Sequence, residues 1–184
     1  MTHDFIFSII IGICWLVFIV YWFISSLKAK KTIRRSPQGI WFRVILIVVF
    51  ISFFLVPAGF LNTESPFPLK IVGIIFVVLG ISLAIWARVH LGKNWGMPMS
   101  LKESPELVTS GPYRTIRNPI YTGVIFAVLG SALVTGFQWF IIFLVVLVYF
   151  IYSTKQEEKI MEREFGEKYL EYKKHTKALI PFIW

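Results

Sequence analysis

The fold class this sequence predicts is an all-α integral membrane protein, and three observations carry that expectation. Of the 184 residues, 57% are hydrophobic and only 16% charged, against roughly 45–50% and about 25% in ordinary soluble domains. Mean hydropathy is +0.72. The apolar residues are also gathered into unbroken runs of the length a bilayer asks of a helix, about 20 residues. These features exclude a disordered chain and argue against a water-soluble globule. Cys14 is the single cysteine, so neither an internal disulfide nor a Cys/His zinc cluster is expected. No metal site is predicted.

Taken in chain order, the first span is expected at residues 5–27, which hold no charge. Residues 1–4 carry no Lys or Arg and no small-residue cleavage site follows, so a cleaved leader fits poorly and the run is read as a retained helix. The second span is expected at 40–61, with Arg43 near one end and Pro57 near the other. An Arg in that place snorkels to the headgroups. The third occupies 71–87, between Lys70 and Arg88. Residues 118–154 form an uncharged run of 37, which as one helix would be about 55 Å long and nearly twice the hydrocarbon thickness. Thr135-Gly136 near its middle offers a turn. A hairpin of two short spans, 119–135 and 137–154, is therefore predicted, making about five in all.

Basic residues set the orientation. With alternating spans, 18 of the 19 Lys and Arg fall on one side and Lys70 alone on the other. The positive-inside rule then places the N-terminus outside and the C-terminus in the cytoplasm. The net charge of +9 is accounted for by topology and contact with anionic membrane lipid. No reader motif accompanies it, and no nucleic-acid partner is expected.

Three segments would face the cytoplasm: 28–39, 88–117 and 155–184. The middle one, RVHLGKNWGMPMSLKESPELVTSGPYRTIR, is long beside the 2–8 residues that usually join packed helices. Gly and Pro punctuate it, so turns and docking must order it, and Trp95, Tyr113 and the neighbouring Tyr121 mark it as functional. In the tail, Ile160, Met161, Phe165, Tyr169 and Tyr172 recur at helical spacing opposite a charged face, an amphipathic helix. Gly166 weakens such a helix by about 1 kcal/mol relative to Ala. Glu157 and Glu158 follow directly on the last span; adjacent acids do not share a helix face, so at most one of them is expected to point into a cavity at the bundle end, the other being solvated.

The string LVTSGPYRTIRNPIYTG, then a hydrophobic hairpin, then EEKIMEREFGEKYLEYKKHTKALIPFIW resembles the isoprenylcysteine carboxyl methyltransferase family. The family pattern is an LVTSG-like turn, a Tyr, then Arg-His-Pro-x-Tyr-x-Gly; beyond a hairpin follow Glu-Glu, Phe-Gly-x-x-Tyr and a Pro near the end. The resemblance covers roughly residues 86–183 and is specific through the order of its pieces. It implies an S-adenosylmethionine-dependent membrane methyltransferase whose cofactor lies beneath a lid made by the cytoplasmic loop and tail helix. On that basis residues 1–87 are three N-terminal spans with a basic linker, and 88–184 the catalytic region.

Carried over residue by residue, Glu106, Leu107 and Val108 should touch the cofactor, largely through backbone. Tyr113 and Asn118, Pro119, Ile120 and Tyr121 should form its wall. Glu157, with Glu158 beside it, should hold a polar end. Asn118 stands where the pattern has His; it can hydrogen-bond but cannot transfer a proton near neutral pH. Ser153 stands where eukaryotic members have an Arg assigned to the acceptor's carboxylate, leaving Lys155 and Arg117 as neighbouring cations. The reading from chemistry is that Asn118, Tyr121 and Glu157 bind the cofactor and Arg117 orients an acidic or polarised acceptor, with Arg117 and Glu157 as the catalytic pair. His3, His90 and His175 stand alone and no strong general base is visible, so an acceptor already anionic, a thiolate or carboxylate, suits the site. Its setting points to a hydrophobic or lipid-linked molecule. Three other readings stay open: a phospholipid N-methyltransferase, an NADPH-dependent membrane reductase and a non-enzymatic membrane bundle.

Overall fold

The computed structural model describes residues 2–35, 65–96 and 100–179; the span expected at 40–61 lies outside them. Helix α1 is Thr2–Ser26, α2 Phe67–Leu91, α3 Pro119–Thr135, α4 Phe137–Phe165 and α5 Glu167–His175. Three stretches, Phe5–Ser26, Phe67–Asn94 and Trp139–Phe165, are long and apolar enough to cross a membrane, and Pro119–Thr135 is a shorter apolar helix. The chain is an integral membrane protein built on apolar helices, as its composition requires.

Proline and glycine mark the ends. Pro119 occupies the first turn of α3, where its missing N–H costs nothing. Gly136, at φ 101, makes the expected hairpin, with its N–H capping Ala132 O at 2.9 Å. Gly166, at φ 52, ends α4 and starts α5. The tail therefore departs from a separate amphipathic helix: α4 runs without a break from its apolar stretch to Phe165 before the chain bends at Gly166. Nothing between Ser153 and Phe165 breaks a helix, whereas the left-handed backbone at 166 suits only a glycine readily.

The tightest packing joins α2 to α3 along glycines seven residues apart. A Cβ at Gly80 would lie 2.5 Å from Gly123 O and 2.6 Å from Ala127 N, and one at Gly73 would lie 2.6 Å from Gly130 O. Lipid tails offer no hydrophobic gain between helices, so close backbone approach and dispersion hold such pairs together. Val77, Ile81, Ala127 and Val134 fill the centre with Ile11 of α1, and Trp15 Nε1 donates to Ser131 Oγ across it at 3.1 Å.

One feature differs from an all-helical expectation. Strand β1 (Thr32–Arg35) pairs antiparallel with β2 (Ser100–Lys102). Lys30 N–H also donates to Lys93 O at 2.9 Å, and Glu103 N–H to Lys31 O at 3.0 Å. The polar segments leaving α1 and α2 emerge at the same end of the bundle, and backbone groups left unpaired there find one another. This ribbon straps the long loop across the end of the helices.

Candidate active site

Beneath that loop is a cavity of about 420 Å³ bounded by all four long helices, the loop and α5. Each wall follows from a local feature. The apolar end of α1 supplies Phe18 and Trp22, which stack at 4.7 Å. Trp22 meets Trp95, just after the turn ending α2, edge to face at 5.7 Å. On the opposite side Tyr121 of α3 stacks on Phe150 of α4 at 4.4 Å, and its hydroxyl donates to Glu157 Oε1 at 2.5 Å.

The floor is tied down by the end of the chain. Residues 176–179 run alongside 115–118: Arg117 N–H donates to Lys177 O at 2.7 Å and Lys177 N–H to Thr115 O at 3.0 Å. The Asn118 side-chain amide donates to Ala178 O at 3.0 Å, and Thr122 Oγ1 to Leu179 O at 2.5 Å. Tyr172 of α5 donates to Tyr113 O at 2.6 Å. At the rim Lys30 Nζ reaches Asn94 Oδ1 at 2.8 Å, Ser104 O at 2.8 Å and Glu106 Oε1 at 2.9 Å. That contact holds the Glu106 carboxyl below its ordinary range, Lys30 contributing most and Asn94 next.

The residues singled out from sequence gather here. Glu106, Leu107, Val108 and Tyr113 line the cavity from the loop, and Asn118, Ile120, Tyr121 and Glu157 from the helices. Pro119 is buried in the first turn of α3, outside the lining. Glu158 is turned away: Arg117 Nη2 meets its Oε1 at 2.6 Å and Lys173 its Oε2 at 2.8 Å. Arg117 lines the cavity, but its guanidinium is engaged by Glu158, Thr176 O and Lys173 O. The tail stripe faces inward, with Met161, Phe165, Tyr169 and Tyr172 all in the lining.

Sequence reasoning missed the α1 wall, Asn94, Tyr149 and Phe150. Aromatic residues near the end of a span read equally well as interfacial anchors, so only the tertiary fold distinguishes them.

The tyrosines are locked in their neutral form. Burial raises the Tyr113 and Tyr169 hydroxyls well above their usual range, with Glu157 adding to the effect at Tyr113 and Glu158 at Tyr169. Burial pushes Tyr172 up to about 12. Near neutral pH these groups donate hydrogen bonds and do not act as bases. The cavity thus offers the Glu157 carboxylate, the Lys30-paired Glu106 at its rim, neutral donors and aromatic faces, a set suited to a cationic, amphipathic small molecule.

Comparison with known proteins agrees with the motif resemblance. The human protein-S-isoprenylcysteine O-methyltransferase is 33% identical over 122 residues, covering 62% of this chain and 42% of that protein. The nickel-cobalt-cadmium resistance protein NccN of Alcaligenes xylosoxydans xylosoxydans is 26% identical over 151 residues, covering 81% of this chain and 66% of that protein. Among the described residues no group of three or more His, Cys, Asp or Glu could hold a metal ion. The structure of the eukaryotic intramembrane Ras methyltransferase, an isoprenylcysteine carboxyl methyltransferase, matches with a TM-score of 0.57 and 27% identity over 82% of this chain and 55% of that one. The chain spans about two fifths of the length of the curated methyltransferases it matches. The phospholipid methyltransferase family model matches residues 68–168, from the start of α2 to the start of α5 and including most of the cavity lining, and the chain belongs to that family.

Proposed function

We propose that this chain is an integral-membrane methyltransferase that uses S-adenosylmethionine to methylate a hydrophobic or lipid-linked acceptor, a thiol or a carboxylate. The observation that carries the reading is the convergence of Glu157, Tyr121 and an aromatic lining in one cavity under the loop. Its volume, about 420 Å³, is in the range of small-molecule sites, roughly 300–1,000 Å³. The residues present fit the cofactor. Glu157, oriented by the Tyr121 hydroxyl, suits an ammonium. The non-helical 106–108 backbone offers amides and carbonyls to an adenine or ribose, and the stacked rings of Tyr121 and Phe150 favour a cation.

When bound, that cofactor supplies a methyl group on a sulfonium, open to in-line displacement. The protein's part is to hold, align and dry the reactants. Tyr172 and the 176–179 segment fix the floor, Lys30 fixes the loop, and the aromatic walls exclude water. Arg117 is assigned a positioning part: paired with Glu158 and holding Thr176 O, it joins α4, the loop and the chain end. Tyr113, Tyr169 and Tyr172 stay protonated and serve as hydrogen-bond donors rather than bases, which favours an acceptor that needs no deprotonation. An acceptor that reacts as an anion meets that condition. The distribution of Lys and Arg supports a cytoplasmic site with the N-terminus outside. The name of the matching family favours a second reading, a phospholipid amine as acceptor, with the same cofactor site.

The test is calorimetric titration of the detergent-solubilised protein with S-adenosylhomocysteine. Saturable one-to-one binding that is lost in Glu157→Ala, with the variant still folded, is expected. No binding by folded wild-type protein overturns the proposal.

A further inference from the structure

Arg88, near the C-terminal end of α2, is only 2% exposed, and the mechanism above makes no use of it. Its Nη1 donates to Gly92 O at 2.6 Å and its Nη2 to Ser25 O at 2.7 Å, stapling the end of α1 to the end of α2. The guanidinium carbon sits 4.7 Å from the centroid of the Trp95 ring, and Nε is buried without a hydrogen-bond partner. Among the described residues no carboxylate pairs with it. Carbonyl dipoles and an indole face are a poor substitute for a counter-ion, and a buried charge is normally paired. Arg117 makes the contrast: it lines the cavity itself, but its charge is cancelled by Glu158 at 2.6 Å.

The indole of Trp95 is a wall of the cavity, so the Arg88 charge stands one side chain behind that wall. The same end carries Phe18 and Trp22 from the membrane helix α1, whereas Glu157 belongs to the α3–α4 side. A positive potential in a dry, low-dielectric setting is weakly screened. It raises affinity for an anion and lowers it for a cation at the aromatic end.

We propose that Arg88, acting through Trp95, is the residue that selects an anionic headgroup on the hydrophobic acceptor. This rests on the methyltransferase reading above and deepens it, since it supplies the specificity that Arg117 is too fully engaged to provide. Arg88 touches no ligand in this scheme and is a positioning and field-setting residue.

The test is a binding cycle on the full chain in neutral-lipid nanodiscs, using dodecanoate and its uncharged isostere dodecanamide, each titrated with and without saturating S-adenosylhomocysteine. Wild type is expected to prefer dodecanoate by about tenfold, a coupling of the size found between neighbouring charged groups. Arg88→Lys keeps most of that preference. Arg88→Met abolishes it while leaving dodecanamide and S-adenosylhomocysteine affinities within about twofold. Should Arg88→Met not fold, Arg88→Gln removes the charge and retains an amide donor for a carbonyl. An unchanged preference in the neutral variants, or an equal loss of both amphiphiles from protein that still binds S-adenosylhomocysteine, makes Arg88 a helix staple only and overturns the proposal. Failure of wild type to bind S-adenosylhomocysteine sinks the cofactor reading instead, and the carboxylate preference is then read from the titrations without it.

Discussion

Replacing Arg117 by Met tests the engineering of the cavity floor. The Arg117 side chain is 8% exposed and that of Glu158 15%. Removing one member of such a buried pair typically costs about 3–5 kcal/mol, because the other charge is left behind. Here Lys173 stays 2.8 Å from Glu158, but it is 37% exposed and compensates only in part. The hydrogen bonds to Thr176 O and Lys173 O go as well. A net loss of about 2 kcal/mol follows from the pair cost less the retained Lys173 contact. For a chain of this length that lowers Tm by about 4–8 °C. Melting in detergent, followed by intrinsic fluorescence, reads it. Glu158→Leu in the Arg117→Met background removes the stranded carboxylate and should recover about half the loss. A double variant no more stable than Arg117→Met would refute the claim that the pair is the reason for the cost. Arg117→Met with unchanged Tm but abolished turnover would move Arg117 from the floor to the acceptor.

Two other perturbations address the scaffold and the rim. Gly80→Val should destabilise the α2–α3 pair by at least about 3 kcal/mol, above the ordinary range for overpacking, because the obstructing Gly123 O and Ala127 N are backbone atoms with no rotamer to yield; loss of the folded monomer in detergent chromatography is the readout. At the rim, Lys30 depresses the Glu106 carboxyl, so the contact's contribution is fully present above the unfolded carboxylate value, about 4.3, and is lost as pH falls through the lower folded value. Protease cutting within 103–110 should therefore rise below about pH 4 in wild type, and Lys30→Met should cut readily at neutral pH with little further acid dependence.

Runs of apolar residues made the helices legible. Periodicity and length located α1, α2, α3 and the membrane part of α4, and Thr135-Gly136 marked the hairpin correctly. The continuation of α4 to Phe165 was less visible, since a helix that changes solvent changes composition and reads as two segments. The ribbon between 32–35 and 100–102 had almost no local signal: strands of three or four residues have no period to measure, and their pairing depends on where two helices end. At the site, the Asn118-Pro119-Ile120-Tyr121 segment stood out through the motif resemblance, and the Glu157-Glu158 pair also by its place directly after a span. Phe18, Trp22, Tyr149 and Phe150 lay within apolar runs, where a cavity wall and a lipid-facing side chain are written in the same residues.

The adjacent acids show how the division of labour arises. Successive helical residues point about 100° apart, so a single helix delivers Glu157 and Glu158 to different environments. Glu158 meets two cations, Arg117 and Lys173, and its charge is absorbed in holding the chain end against α4. Glu157 lines the cavity and accepts from the Tyr121 hydroxyl, which orients its carboxylate. Of the two arginines, Arg117 is neutralised by Glu158, whereas Arg88 is held by carbonyl dipoles and the Trp95 ring. Of the two acids, Glu158 is engaged by Arg117 and Lys173, whereas Glu157 faces the cavity. A site arranged in this way presents negative charge on the α3–α4 side and positive potential behind Trp95. That is the polarity required to seat a sulfonium-bearing donor opposite an anionic acceptor, and it is set by which partners the fold supplies, since the residue types within each pair are the same.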